Sequence, residues 1–181
     1  ITVNSTGELK LHSNTIDAAN SGTTIRIATA ISTLSSDKIV LTGDSSLKKR
    51  PMQPLLDALE SLDAKCSSSN GNPPISISGK IKGGEVKISG SVSSQFISAL
   101  MITAPKLEKG LILNIQNKLV SKPYIDATIV AMKKFGVEVE IKTAYKKYII
   151  HKQDYKSTTF VIPSDFSSLA LLLSAAVLLG E

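Results

Sequence analysis

An α+β fold assembled from repeated helix–strand units is what this sequence predicts, and three observations carry it. The stretch 90–105, GSVSSQFISALMITAP, reads as a helix that is apolar nearly all round, capped by Ser93 and Ser94 and stopped at Pro105. A helix with no polar face belongs inside a core. Two further stretches have apolar residues on one face only, and short runs of alternating apolar and polar residues lie between the helices. The third observation is spacing. Ser21 and Ser93 stand 72 residues apart, Pro51 and Pro123 also stand 72 apart, and Ser167 follows Ser93 by 74. A fixed period of this size marks supersecondary units packed side by side.

In chain order, residues 1–19 carry Leu9, Leu11 and Ile16 on a polar background and predict one or two short strands. Asn20 to Arg26 then opens an apolar helix, IATAIST, with Ser21 as its cap. Residues 38–42 predict a strand and 43–49 a polar loop. Arg50-Pro51 opens an amphipathic helix, with Met52, Leu55, Leu56, Leu59 and Leu62 on one face and Asp57, Glu60 and Asp63 on the other. Residues 66–74 read as a small-residue loop. Ile75, Ile77, Ile81, Val86 and Ile88 alternate with polar residues around Gly83-Gly84, the pattern of a β-hairpin. After the central helix come a strand at 111–115 and a helix opened by Ser121-Lys122-Pro123. Ile125, Thr128, Ile129 and Met132 share one face of that helix, and Gly136 closes it. Val137, Val139 and Ile141 begin a strand, and 148–150 and 158–162 predict two more. Asp165 to Ser168 cap a third apolar helix, LALLLSAAVLL. The units fall at about 1–74, 75–157 and 158–181, so the 181 residues hold about two and a third units of a single incomplete domain. The chain opens at Ile1, mid-unit and without an initiator Met, as a fragment would.

Composition narrows the chemistry. Apolar content of 42% can fill a core, and the formal net charge of +6 favours anionic partners. The lysines are scattered, there is no Trp, and base-stacking platforms are scarce, so no nucleic-acid partner is expected. Cys66 is the single cysteine, which excludes an intrachain disulfide and suits a reducing, cytoplasmic compartment. With His12 and His151 both far from it in sequence, a catalytic thiol or a zinc site is not expected. The apolar run 169–179 is too short to span a bilayer and no signal peptide is visible, so no membrane partner is expected.

Repeated buried helices run in one direction. Their N-termini, at Ser21-Gly22, Ser93-Ser94 and Ser167-Ser168, then gather on one face with Arg26 and Arg50. Unpaired N–H donors, the positive helix poles and two guanidinium forks suit a phosphate or carboxylate. For Arg50 the residues leave two roles open: an anion ligand, or a surface partner of Asp44 or Asp57.

Five ordered motifs extend this reading: Asn20-Ser21-Gly22-Thr23-Thr24-Ile25-Arg26, Arg50-Pro51-Met52-Gln53-Pro54-Leu55, Ser93-Ser94-Gln95-Phe96, Ser121-Lys122-Pro123-Tyr124-Ile125-Asp126 and Asp165-Phe166-Ser167-Ser168. Together, from about residue 20 to the end, they resemble the enolpyruvyl transferases, most nearly the branch acting on shikimate 3-phosphate. The resemblance implies a two-domain enzyme, each domain built of three βαβαββ units with parallel buried helices, of which this chain is most of one. It implies transfer of the enolpyruvyl group of phosphoenolpyruvate to the 5-hydroxyl of shikimate 3-phosphate with release of phosphate, a step of aromatic amino-acid biosynthesis. The reaction passes through a tetrahedral intermediate and uses no metal and no organic cofactor; a cytoplasmic monomer is expected. Carried over residue by residue, Ser93, Ser94, Gln95, Ser121 and Tyr124 contact shikimate 3-phosphate. Gly22, Arg50 and again Gln95 lie on the phosphoenolpyruvate side. Asn20, Thr23 and Arg26 support that loop, and Asp165 caps its helix. The resemblance places the acid/base groups in the other domain, so no catalytic residue is assigned here and the chain alone is not expected to turn over. Ile27 departs from the pattern, since many relatives have Pro there; the loop's shape and its inhibitor sensitivity do not carry over.

Three rival readings stand beside this one, the plainest being a non-catalytic scaffold of helix–strand repeats in which Gln95 and Arg50 tolerate alanine. The sister branch acting on UDP-N-acetylglucosamine relies on a reactive cysteine in a mobile loop, and Cys66 lies in no matching motif. A nucleic-acid 3′-end processing protein on a related repeat fold accommodates the positive charge but lacks the aromatic residues and the basic stripe.

Overall fold

Two four-stranded sheets of the same internal order organise the molecule. The computed structural model describes residues 2–4 and 13–162, with Ser174 and Val177. The first unit runs β1 (Thr15–Asp17), α1 (Gly22–Ser32), β2 (Ile39–Thr42), α2 (Gln53–Glu60), β3 (Lys65–Ser69) and β4 (Asn72–Ser78). The second runs β5 (Gly84–Ser89), α3 (Ser94–Thr103), β6 (Leu111–Gln116), α4 (Lys122–Lys134), β7 (Glu140–Thr143) and β8 (Lys147–Ile150). Both are therefore βαβαββ. In each, the first two strands pair in parallel across a helix, and the fourth strand inserts antiparallel between the second and third. The third apolar helix and its cap, Asp165 to Ser168, lie outside the described residues, apart from Ser174 and Val177.

The helices follow from their sequences. Ser21 caps α1 by accepting a bond from the Thr24 amide, and Ser93 caps α3 by accepting one from Gln95. Phe96, Ile97, Ala99, Leu100 and Met101 are buried on all sides of α3. Each large side chain of this kind contributes about 1.5–3 kcal/mol by leaving water. Met52, Leu55, Leu56, Leu59 and Leu62 bury the inner face of α2, while Asp57, Glu60 and Asp63 stay exposed. The buried residues of both units join in one continuous core.

The structure corrects several local expectations. The hairpin around Gly83-Gly84 does not form: β4 pairs with β2 and β3, whereas β5 pairs with β6 in the other sheet. Gly83, at φ +87°, carries the chain between sheets, and a Cβ there would stand 2.0 Å from the Gly110 carbonyl oxygen. The first sheet thus extends to Ser78, across the expected division at 74/75. The supposed loop 66–74 holds β3, an edge strand built on its pairing with β4 rather than on its own serine-rich propensity. Residues 158–162 form no strand. The loop 43–49 ends in a 3₁₀ turn that buries Leu47, and β7 begins at Glu140 rather than Val137. The second helix starts two residues after Pro51, with Pro54 in its first turn.

Candidate functional site

The N-termini of α1 and α3 meet, and the site grows from that meeting. Gln95 donates from Nε2 to Thr23 Oγ1 at 3.0 Å, a contact between residues 72 apart and equivalent in the two units. Its Oε1 accepts from Arg26 Nη1 at 2.5 Å. A guanidinium can only donate, so Arg26 fixes which way the Gln95 amide faces. Arg26 also approaches Ser93 Oγ at 3.5 Å and lies 4.9 Å over the Phe96 ring. Burial, with the nearby positive charge of Arg50, holds its guanidinium below the ordinary arginine value. Its Nε is buried and makes no hydrogen bond among the described residues.

Arg50 completes the positive end. It pairs with neither candidate carboxylate: Asp44 accepts from the Leu47 amide and Asp57 from Gln53. Its guanidinium lies over Gly22 instead. A Cβ on Gly22 would stand 2.6 Å from Arg50 Nη1 and 3.7 Å from Arg26 Nη1. Two guanidiniums therefore flank the positive pole of α1, and among the described residues neither forms an ion pair with a carboxylate. Such a place attracts an anion. Asn20 is exposed in the turn before α1.

Beside it, a cleft of about 230 Å³ is lined by Val92, Ser93, Ser94, Gln95, Val120, Ser121 and Tyr124. Two loops build it, one leading into α3 and the other into α4. Backbone bonds from Gly90 to Gln116 and from Val120 to Gly90 tie the loops together. Gly90 permits the approach, since a Cβ would meet Ile115 at 2.8 Å and the Leu119 backbone at 3.0 Å. Ser121 is left-handed at φ +56° and makes no side-chain cap to α4, so its hydroxyl is not committed to the helix. Among the described residues, no protein partner takes the side-chain hydroxyls of Ser94, Ser121 or Tyr124. The arrangement offers several hydroxyl donors beside two guanidiniums, which suits an anionic, hydroxylated ligand.

The sequence-derived residues thus fall into two adjoining groups. Ser93, Ser94, Gln95, Ser121 and Tyr124 line the cleft; Gly22, Arg26 and Arg50 cluster at the α1 end; Thr23 and Gln95 join the groups. Asp165 lies outside the described residues. The apolar walls, Val92 and Val120, were not anticipated. Each directly precedes a motif serine, and that adjacency is the signal that could have found them. A larger cavity of about 600 Å³ adjoins the cleft at Gln95 and Tyr124; its surface is mostly apolar, from Ile27, Ile102, Met132 and Phe135 among others, and the hydroxyls of Ser98 and Thr128 on its wall bond each other. Chemistry therefore places the candidate site in the smaller cleft. Cys66 sits on β3, away from it; burial, with Glu60 and Asp57 nearby, pushes its thiol up to about 12, which leaves it a poor nucleophile. Among the described residues no group of three or more His, Cys, Asp or Glu could hold a metal, and no helix is long and apolar enough to cross a membrane.

The model of the family described as EPSP synthase (3-phosphoshikimate 1-carboxyvinyltransferase) matches residues 1–181. The 3-phosphoshikimate 1-carboxyvinyltransferase of Nitrosopumilus maritimus is 63% identical over 166 residues, which is 92% of this chain and 39% of that protein. Its counterpart in Methanosarcina mazei is 48% identical over 179 residues, covering 97% and 42% of the two chains. Among solved structures, EPSP synthase from Acinetobacter baumannii superposes with a TM-score of 0.72 at 27% identity, over 88% of this chain and 35% of that one. The chain spans about two fifths of the length of the curated relatives it matches.

Proposed function

The chain belongs to the EPSP synthase family, and from that premise we propose that it supplies part of the substrate site of a 3-phosphoshikimate 1-carboxyvinyltransferase. In this reading the whole enzyme moves the enolpyruvyl group of phosphoenolpyruvate onto the 5-hydroxyl of shikimate 3-phosphate and releases phosphate. The observation that carries it is the Gln95 amide, held between Thr23 and Arg26 where the hydroxyl-lined cleft meets the two guanidiniums.

The two ligands divide along that line. Shikimate 3-phosphate occupies the cleft, with Ser93 and Ser94 at its phosphate at the start of α3, and Ser121 and Tyr124 on its ring. Phosphoenolpyruvate lies toward Gly22 and Arg50, with Gln95 between the two. Holding both reactants in one geometry lowers the entropic barrier to attack of the 5-hydroxyl on the enolpyruvyl carbon. The guanidiniums of Arg26 and Arg50 beside the tetrahedral intermediate stabilise the charge carried there. The proton-transfer groups and further phosphoenolpyruvate ligands come from a second domain. A cytoplasmic monomer that works without metal or organic cofactor fits this reading, and residues 1–181 form most of one of its domains.

The test is steady-state kinetics of the full-length enzyme with Gln95→Ala and Arg50→Ala. Each loses charge-assisted or desolvated hydrogen bonds worth about 1.5–3 kcal/mol, so kcat/KM should fall roughly ten- to a hundredfold. Wild-type rates in both variants would overturn the assignment.

A further inference from the structure

The turn between β7 and β8 touches the helix that presents Ser121 and Tyr124. Tyr145 stands at its tip, left-handed at φ +59°, and its backbone N–H donates to the buried Tyr148 hydroxyl at 2.9 Å. Its ring lies 4.7 Å beneath the Lys122 ammonium, and its hydroxyl donates to Asp126 Oδ2 at 2.9 Å. Lys122 and Asp126 are four residues apart, so they share one face of α4. Tyr145 therefore grips the start of α4 at two points, one in each of its first two turns. Ser121 directly precedes the first turn and Tyr124 lies within it.

The turn needs such a hold. Ser121 is in a conformation that side chains disfavour, and its hydroxyl does not cap the helix. The first turn of α4 is exposed on its outer side, with Lys122, Pro123 and Tyr124 all open to solvent. We propose that Tyr145 is a positioning residue for the phosphorylated ring substrate: by clamping Lys122 and Asp126 it fixes the α4 N-terminus, and through it the Ser121 and Tyr124 hydroxyls. This rests on the assignment of Ser121 and Tyr124 to shikimate 3-phosphate. It extends that assignment to a residue some twenty positions further along the chain that lines no cavity of the site.

Kinetics of the full-length enzyme separate the two ideas. Tyr145→Ala removes both grips and should raise KM for shikimate 3-phosphate roughly 5- to 30-fold, leaving kcat and KM for phosphoenolpyruvate within about twofold. Tyr145→Phe keeps the ring under Lys122 and should recover most of the loss. A variant harmed only in its folding would lose active enzyme, and so kcat, rather than affinity for one substrate. Combining Tyr145→Ala with Ser121→Ala should give less than the product of the single effects, because the two changes act through one contact. An unchanged KM for shikimate 3-phosphate in Tyr145→Ala, or full additivity with Ser121→Ala, would overturn the clamp and leave the functional reading standing. If the wild-type enzyme does not use shikimate 3-phosphate, the functional reading fails and the clamp fails with it.

Discussion

Gly22 shows how much one missing side chain decides. At the first position of α1 its hydrogen leaves room for Arg50 Nη1, which a Cβ would meet at 2.6 Å. That atom ends a flexible side chain, so Gly22→Ala would move the guanidinium rather than break the fold. In the full-length enzyme the variant should raise KM for phosphoenolpyruvate by about tenfold, through loss or lengthening of a charge-assisted bond, and change KM for shikimate 3-phosphate little. Parallel substrate titrations check this, and a uniform rise in both constants would place Gly22 outside the proposed division of ligands. The resemblance puts Gly22 on the phosphoenolpyruvate side, but nothing in the sequence says that Arg50 comes to lie over it. Arg50 is 28 residues away and its exposed guanidinium reaches back only in the folded chain. The same holds for Arg26, which the resemblance makes a support of that loop and whose folded position sets the orientation of an amide in the next unit.

At the scale of elements, three serines stand before helices and do different work. Ser21 and Ser93 accept bonds from first-turn amides, whereas Ser121 makes no cap. Ser21→Ala should therefore cost about 1 kcal/mol of stability. Ser121→Ala should stay within about 0.5 kcal/mol, as expected for an exposed side chain with no partner among the described residues, while weakening shikimate 3-phosphate binding. Urea unfolding of both variants gives the comparison, and an equal loss of stability would return Ser121 to an ordinary cap. The helices were legible because caps, prolines and apolar faces are local signals. The strands were less so. Gly83-Gly84 between alternating runs imitates a hairpin turn, and only the pairing partners, which lie far off in sequence, reveal a crossing between sheets. β3, with its sequence KCSSS, carries no strand signal of its own and exists because β4 offers an edge. Residues 158–162 show the reverse case, since β-branched residues alone form no strand there.

Over the whole molecule, the 72-residue period is the feature that turns fold into site. Equivalent helix starts are brought side by side, so Thr23 of one unit touches Gln95 of the next, and the positive ends of α1 and α3 add at one place. That place is open. Tyr124 is 60% exposed and Arg50 is exposed, so the described residues would cover a ligand at the proposed site from one side only. Fixed charges act most strongly where water is excluded, and a one-sided site leaves the reacting groups solvated. The curated relatives are more than twice as long as the matched region, and the proposed enzyme draws its proton-transfer groups from the part beyond it. The purified 181-residue chain should therefore yield no detectable enolpyruvyl product, while the full-length protein turns over under the same conditions. Phosphate release coupled to chromatographic detection of the product reads both. Turnover by the chain alone would mean that the acid/base chemistry lies within these residues, and would move the search for it to the titratable side chains around the Gln95 amide.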